Sequence, residues 1–156
     1  MSATKISANQ IPGLSGLSDV NLTEGPGIDK FALVFDNASG KWLAVARPYD
    51  FSFSIVGTTI NGEKIPVIIV RASTIPINAT GSLAIATVAA TASTVFLIKQ
   101  NGTQIGTITF AASGTTGTFS FPSAVTFAVG DVLEIDGPAN ADATLANIAI
   151  TLKGSW

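Results

Sequence analysis

The stretch GDVLEIDGP places Asp131, Glu134 and Asp136 within six consecutive positions. On a β-strand, side chains alternate, so Glu134 and Asp136 share one face and Asp131 points away from Glu134. Two carboxylates suggest glycoside hydrolysis. That chemistry needs an acid and a base or nucleophile opposed across a sugar, usually from separate elements, with an apolar pocket to raise the pKa of the acid. Neighbours on one strand do not meet those requirements, so the expectation is a solvated strand face with Asp131 in the preceding turn. The following DGPANADA offers oxygens at Asp136, Asn140 and Asp142. A calcium loop is conceivable there, but the spacing and closing Glu of an EF-hand are missing, and a turn built on Asp, Asn and Pro accounts for the residues more simply. SGTTGT is glycine-containing without the Lys or the following helix of a phosphate loop.

Three aromatic residues, Trp42, Tyr49 and Trp156, are the side chains best able to stack on a sugar ring or anchor an interface. Nothing in the sequence brings them together. Trp42 falls inside a short strand, Tyr49 follows Pro48 at a junction, and Trp156 is placed to clamp the last strand.

The chain has no His and no Cys. It therefore lacks the commonest general base, the commonest ligand for zinc or copper, and any disulfide. With eight Lys and Arg against ten Asp and Glu, none clustered, there is no electrostatic footprint for nucleic acid. No apolar run is long enough for a membrane-spanning helix. Together these observations predict a protein that is not an enzyme, carries no cofactor, and neither binds nucleic acid nor inserts into a membrane. Charged residues are only 12% of 156, so most of the surface must come from Thr, Ser, Asn, Gln and Gly.

The elements that must carry these residues follow in order. Residues 1–28 contain isolated apolar side chains at Ile6, Ile11, Leu14, Leu17, Val20 and Leu22 among Gly and Pro, with no sustained period. This pattern predicts an extended arm that anchors on another surface; a disordered tail is the alternative. Residues 29–49 read as a small β-hairpin, FALVF and KWLAVA around the turn residues DNASG, broken at Arg47-Pro48. From residue 50 to 156 the chain reads as short strands at 51–56, 64–71, 82–89, 94–100, 103–110, 117–121, 124–129, 131–136 and 145–152. The fold expected is all-β, a β-sandwich of jelly-roll-like form, with a barrel as the alternative. Asn101-Gly102 predicts a type I′ hairpin in which Gln100 faces Thr103, Ile98 faces Ile105 and Phe96 faces Thr107. Sheet edges with few charges favour pairing with identical copies.

The segment LSDVNLTEGPGIDKFALVFDNASGKWLAVA resembles one found in bacteriophage tail-fibre and related appendage proteins. The matching positions are Leu17, Ser18, Asp19 and Val20, then Leu33 to Asp36, then Ser39 to Trp42, together about a fifth of the chain. Asp29-Lys30-Phe31 stands where that pattern often has Gly before the strand. Residues 90 onward also resemble a β-domain of phage virion proteins. The resemblance implies a structural part of a virion, a short fibre, tail or baseplate appendage or head decoration, assembled in the bacterial cytoplasm. It also implies a homotrimer in contact with other virion proteins. An alternative is a module that binds host-surface carbohydrate.

Overall fold

The computed structural model describes residues 20–21 and 31–156, and the chain divides into two compact units between Arg47 and Pro48. The division falls on the Arg47-Pro48 step, so Tyr49 belongs to the second unit, where its amide donates to the Gly154 carbonyl at 3.0 Å. The arm residues Ile6, Ile11, Leu14, Leu17 and Leu22 lie outside the described residues.

The first unit holds β1 (Val20–Asn21), β2 (Phe31–Asp36) and β3 (Lys41–Ala46), in the sheet order β1-β3-β2. The β2–β3 hairpin is the one expected. Its turn closes with Gly40 N–H donating to the Asp36 carbonyl at 2.9 Å and Ser39 N–H to the Asp36 carboxylate at 3.0 Å, while Gly40 sits at φ +67. A left-handed φ of that kind favours glycine over any residue with a Cβ. The stretch Val20–Asn21, read from sequence as part of the arm, instead pairs in parallel with β3, Val20 opposite Trp42 and Asn21 opposite Leu43.

The second unit is the β-sandwich. Its strands are β4 (Phe51–Thr58), β5 (Lys64–Ile68), β6 (Ser73–Ile75), β7 (Leu83–Val88), β8 (Thr94–Gln100), β9 (Thr103–Phe110), β10 (Gly117–Ser120), β11 (Val125–Phe127), β12 (Val132–Asp136) and β13 (Ala146–Leu152). One layer is the five-stranded sheet β10-β9-β8-β12-β5, the other the three-stranded sheet β4-β13-β7, and β6 pairs with β11. The chain passes repeatedly from one layer to the other, as a jelly-roll-like winding requires. Alternation fills the space between them. Phe51, Phe53 and Ile55 of β4 and Ile148, Ile150 and Leu152 of β13 are buried in one cluster with Phe96, Ile98, Ile108, Phe110, Leu133 and Ile135 of the five-stranded sheet.

The β8–β9 hairpin corrects the sequence-based register. Gln100 does face Thr103, and Asn101 and Gly102 have φ of +50 and +81, as a type I′ turn needs. A bulge then intervenes, so that Lys99 faces Gln104 but Ile98 faces Gly106, Phe96 faces Ile108 and Leu97 faces Thr107. One extra residue on β9 exchanges the two faces of everything beyond it. Without the bulge, Phe96 and Ile98 would lie on the opposite face from Ile108 and Phe110; with it, all four are fully buried together. Thr107 and Thr109 turn outward. Hydrophobic burial therefore selects the bulge over the uninterrupted ladder.

The turn is also tied to β12. Asn101 Oδ1 accepts from Val132 N–H at 2.8 Å, and its Nδ2 donates to Asp131 at 2.8 Å. The second Asp131 oxygen accepts from Gln100 Nε2 and Ala128 N–H, both at 2.8 Å. These bonds, led by the one from Asn101, hold the Asp131 carboxyl below its ordinary range.

Gly117 opens β10 with no room for a side chain. A Cβ there would lie 2.6 Å from Ile108 Cγ2 and 2.9 Å from Ala84 Cβ. Gly117→Ala is expected to destabilise the sandwich by about 1–3 kcal/mol through overpacking, seen as a lower urea midpoint with unchanged slope. A midpoint equal to that of the wild type would show that the two layers can separate freely at this point.

Candidate assembly surface

The acidic pair is on one face of β12, as alternation demands, but that face is the outer one of the five-stranded sheet. Lys64 on β5 lies 3.2 Å from Glu134 and 3.7 Å from Asp136, while Lys99 on β8 bonds Asp136 directly. Burial raises the Asp136 carboxyl, and the hydrogen bonds with Lys99 and Glu134 together with the charges of Lys99 and Lys64 outweigh it, so the net displacement is downward. The Lys64 ammonium is displaced upward, chiefly by its hydrogen bond to Glu134. Two carboxylates compensated by two lysines form a cross-strand ion-pair network. Their geometry is side by side, not opposed across a cleft.

Asp142 is engaged elsewhere. Its Oδ2 accepts from Thr91 N–H (2.9 Å), Thr91 Oγ1 (2.7 Å) and Ala92 N–H (2.9 Å). Its Oδ1 accepts from Thr144 N–H (2.9 Å), Thr144 Oγ1 (2.8 Å) and Leu145 N–H (3.0 Å). Six donors around one carboxylate hold its pKa far below the ordinary range, with the Thr91 hydroxyl the largest contributor. The bonds from Thr144 N–H and Leu145 N–H form an Asx turn at 142–145, at the end of the stretch 136–143 over which the sequence predicts a turn. The long-range half of the clamp, to residues 91–92, has no sequence signature.

The three aromatic candidates separate in the same way. Tyr49 packs edge-on against Phe51 at 5.1 Å and belongs to the rim of the core. Arg71 covers the Trp156 ring, its guanidinium carbon 4.0 Å from the ring centroid, a cation–π contact that occupies one ring face. Trp42 is the exposed one. It meets Phe35 edge-on at 5.5 Å on the small sheet of the first unit.

That sheet supplies the feature the sequence-based search for chemistry passed over. Register puts Phe31, Leu33 and Phe35 on the same face as Trp42, Ala44 and Ala46, and puts Ala32 and Val34 on the other face with Leu43 and Val45. Both faces are apolar. Phe31, Leu33, Val34, Phe35 and Trp42 are each 38–48% exposed. A sheet that faces water on one side alternates apolar with polar residues, whereas FALVF and KWLAVA do not, so the two-sided character was legible in the sequence. A hairpin of this size is marginal by itself in water. Apolar side chains are thus exposed on both faces of a small element, a pattern that occurs at sites of interaction.

The grooves of the sandwich are shallow by comparison. One of about 450 Å³ runs between Leu97 and Pro138, and another of about 280 Å³ lies by Thr74 and Lys153. Among the described residues, no group of three acidic side chains is arranged to hold a metal ion. The chain matches no family model, no curated protein and no solved structure.

Proposed function

We propose that this chain is a structural, non-enzymatic component of a bacteriophage virion, a short fibre, tail or baseplate appendage or head decoration. It docks through residues 1–47 and displays the sandwich of residues 48–156, assembled as a homotrimer. The observation that carries the reading is the small sheet with apolar side chains exposed on both faces, which gains stability when other protein surfaces cover it. The fibre-like segment described above spans that sheet and the arm before it, so the resemblance and the exposed surface coincide.

Deleting residues 1–28 is expected to abolish incorporation into particles while leaving the melting transition of the sandwich in place. All of the sandwich core lies between Tyr49 and Leu152. Normal incorporation of the truncated chain, measured by immunoblot of purified particles, would refute docking through the arm. Binding of host-surface carbohydrate is the second reading, and the exposure of Trp42 favours it. It predicts glycan retention that is lost on Trp42→Ala, and a glycan array without reproducible signal counts against it.

A further inference from the structure

Charged side chains on the outer face of a sheet are ordinarily well hydrated, and three on the five-stranded sheet are not. The side chain of Asp136 is 10% exposed, that of Glu134 16% and that of Lys99 21%, whereas Lys64 beside them is 61% exposed. Strands β8 and β12 are antiparallel neighbours, with Lys99 directly opposite Glu134 and Leu97 directly opposite Asp136. The Lys99 amine therefore reaches diagonally across the ladder to bond Asp136 Oδ2. The other Asp136 oxygen, Oδ1, is buried and receives no donor. Asp136 also hydrogen-bonds Glu134. Ionised carboxylates only accept hydrogen bonds, so a bond between two of them holds a proton. An amine, a carboxyl group and a proton carrier are thus gathered in one sparsely hydrated place.

We propose that Lys99 and Asp136 join covalently in a side-chain amide, an intramolecular isopeptide bond, with Glu134 carrying the proton. The inference does not depend on the docking reading. Lys99 first gives up a proton within the cluster, and the freed Nζ lone pair attacks Asp136 Cγ. The Cγ–Nζ bond forms and the Cγ–Oδ2 bond breaks, while Glu134 passes a proton to the departing oxygen. Two of the three ammonium protons leave with Oδ2 as water, the third stays on the amide nitrogen, and nothing is oxidised or reduced. Separated amines and acids do not condense appreciably in water, but well-oriented groups on one scaffold react as if at about 10⁵ M or more. Burial drives the reaction in the same direction. Before it, two charges and an oxygen without a donor are withheld from water; after it, both charges are gone and a neutral amide oxygen remains, which costs less to leave unbonded. Lys64 is the poorer nucleophile, since it is largely hydrated and lies 3.2 Å from Glu134 but 3.7 Å from Asp136. The cross-link encloses β9, β10 and β11 and locks β8 to β12 inside the five-stranded sheet. Molecules that have not closed it keep Asp136 as a titratable carboxylate.

The test is intact-mass spectrometry of the purified full chain after prolonged incubation at neutral pH. The wild type is expected to be lighter than its sequence by one water, and its digest to contain a branched peptide joining Lys99 to Asp136, uncut by trypsin after Lys99. Lys99→Arg should restore the full mass while keeping a cation in the ion pair, and Lys64→Arg should leave the loss in place. Asp136→Asn changes the leaving group and should turn the lost water into a lost ammonia, with the same branched peptide. Glu134→Gln, which keeps the shape but cannot carry the proton, should slow closure about a hundredfold or more. Where a variant loses its cooperative melting transition, the branched peptide of the wild type decides by itself. A wild-type mass equal to that of the sequence overturns the proposal. So does a lost water that survives Lys99→Arg in a folded variant, or one that maps to an imide at Asp136-Gly137, cleaved by hydroxylamine and unconnected to Lys99. Closure of Glu134→Gln at the wild-type rate overturns the role given to Glu134.

Discussion

Phe110→Ala is expected to remove about 3–5 kcal/mol of unfolding free energy from the sandwich, the range for truncating a large aromatic ring in a packed core. Phe110 is fully buried and meets Phe96 edge-on, with ring centroids 5.9 Å apart. Its ring also closes over the position of Gly117, where an added Cβ would lie 3.1 Å from Cζ. Removing the ring therefore opens a void between β9, β8 and β10 that the rigid ladders around it cannot fill by collapse. A domain of this size has about 5–15 kcal/mol in total, so the variant should stand near the limit of folding. Urea denaturation followed by circular dichroism measures the difference. A change below about 1 kcal/mol would show that the cluster is not closely packed.

Asp142→Asn is expected to weaken the sandwich strongly at neutral pH despite its near-identical shape. Each oxygen of Asp142 accepts three hydrogen bonds. An amide offers one oxygen and turns an NH₂ group toward the other three donors, which lose their partner and face a competing donor. The loops at 91–92 and 142–145 should then separate, lowering Tm by several degrees. The pH dependence follows from the downward displacement of the Asp142 carboxyl. A group whose folded pKa is depressed contributes stability that is fully present above its unfolded pKa, about 3.9, and is lost as pH falls through the folded value. Wild-type Tm is therefore expected to be level above about pH 5 and to decline below about pH 4, with Asp131 and Asp136 contributing in the same direction. Asp142→Asn should flatten that decline. An acid slope unchanged by the substitution would sink the assignment of Asp142 as an ionised clamp.

Strand positions were largely legible because strands here are separated by Gly, Pro, Asn and Ser, and because alternation marks one buried face. The all-β sandwich followed from them. Three features did not follow, each for a physical reason. Strand β6 has three residues and is followed at once by Pro76 and a single 3-10 turn, Ile77–Ala79, which is too little periodicity to read. The run expected at 64–71 ends at Ile68, since Ile69 exchanges backbone hydrogen bonds with Asp131 and Gly130 at 2.8 Å and leaves the ladder. The bulge in β9 is decided by which side chains the opposite layer can cover, a tertiary quantity. Of the exposed apolar residues of the small sheet, Trp42 stands out by residue type, whereas Phe31, Leu33, Val34 and Phe35 read as ordinary strand residues. Their uninterrupted apolar run, FALVF, already showed a strand without a polar face. The long-range clamp of Asp142 depends on a loop fifty residues away in sequence and lies beyond any local pattern.

An Asn-Gly step is ordinarily a weak point in protein ageing, because the glycine amide can attack the asparagine side chain and release ammonia. Asn101 is held against that reaction. Its side-chain oxygen accepts from Val132, the first residue of β12, its nitrogen donates to the carboxylate of Asp131 just before that strand, and the attack requires the side chain to swing away from both. The same pair of residues that shapes the two-residue reversal between β8 and β9 is thus restrained by the neighbouring backbone and carboxylate against the rotation that deamidation needs.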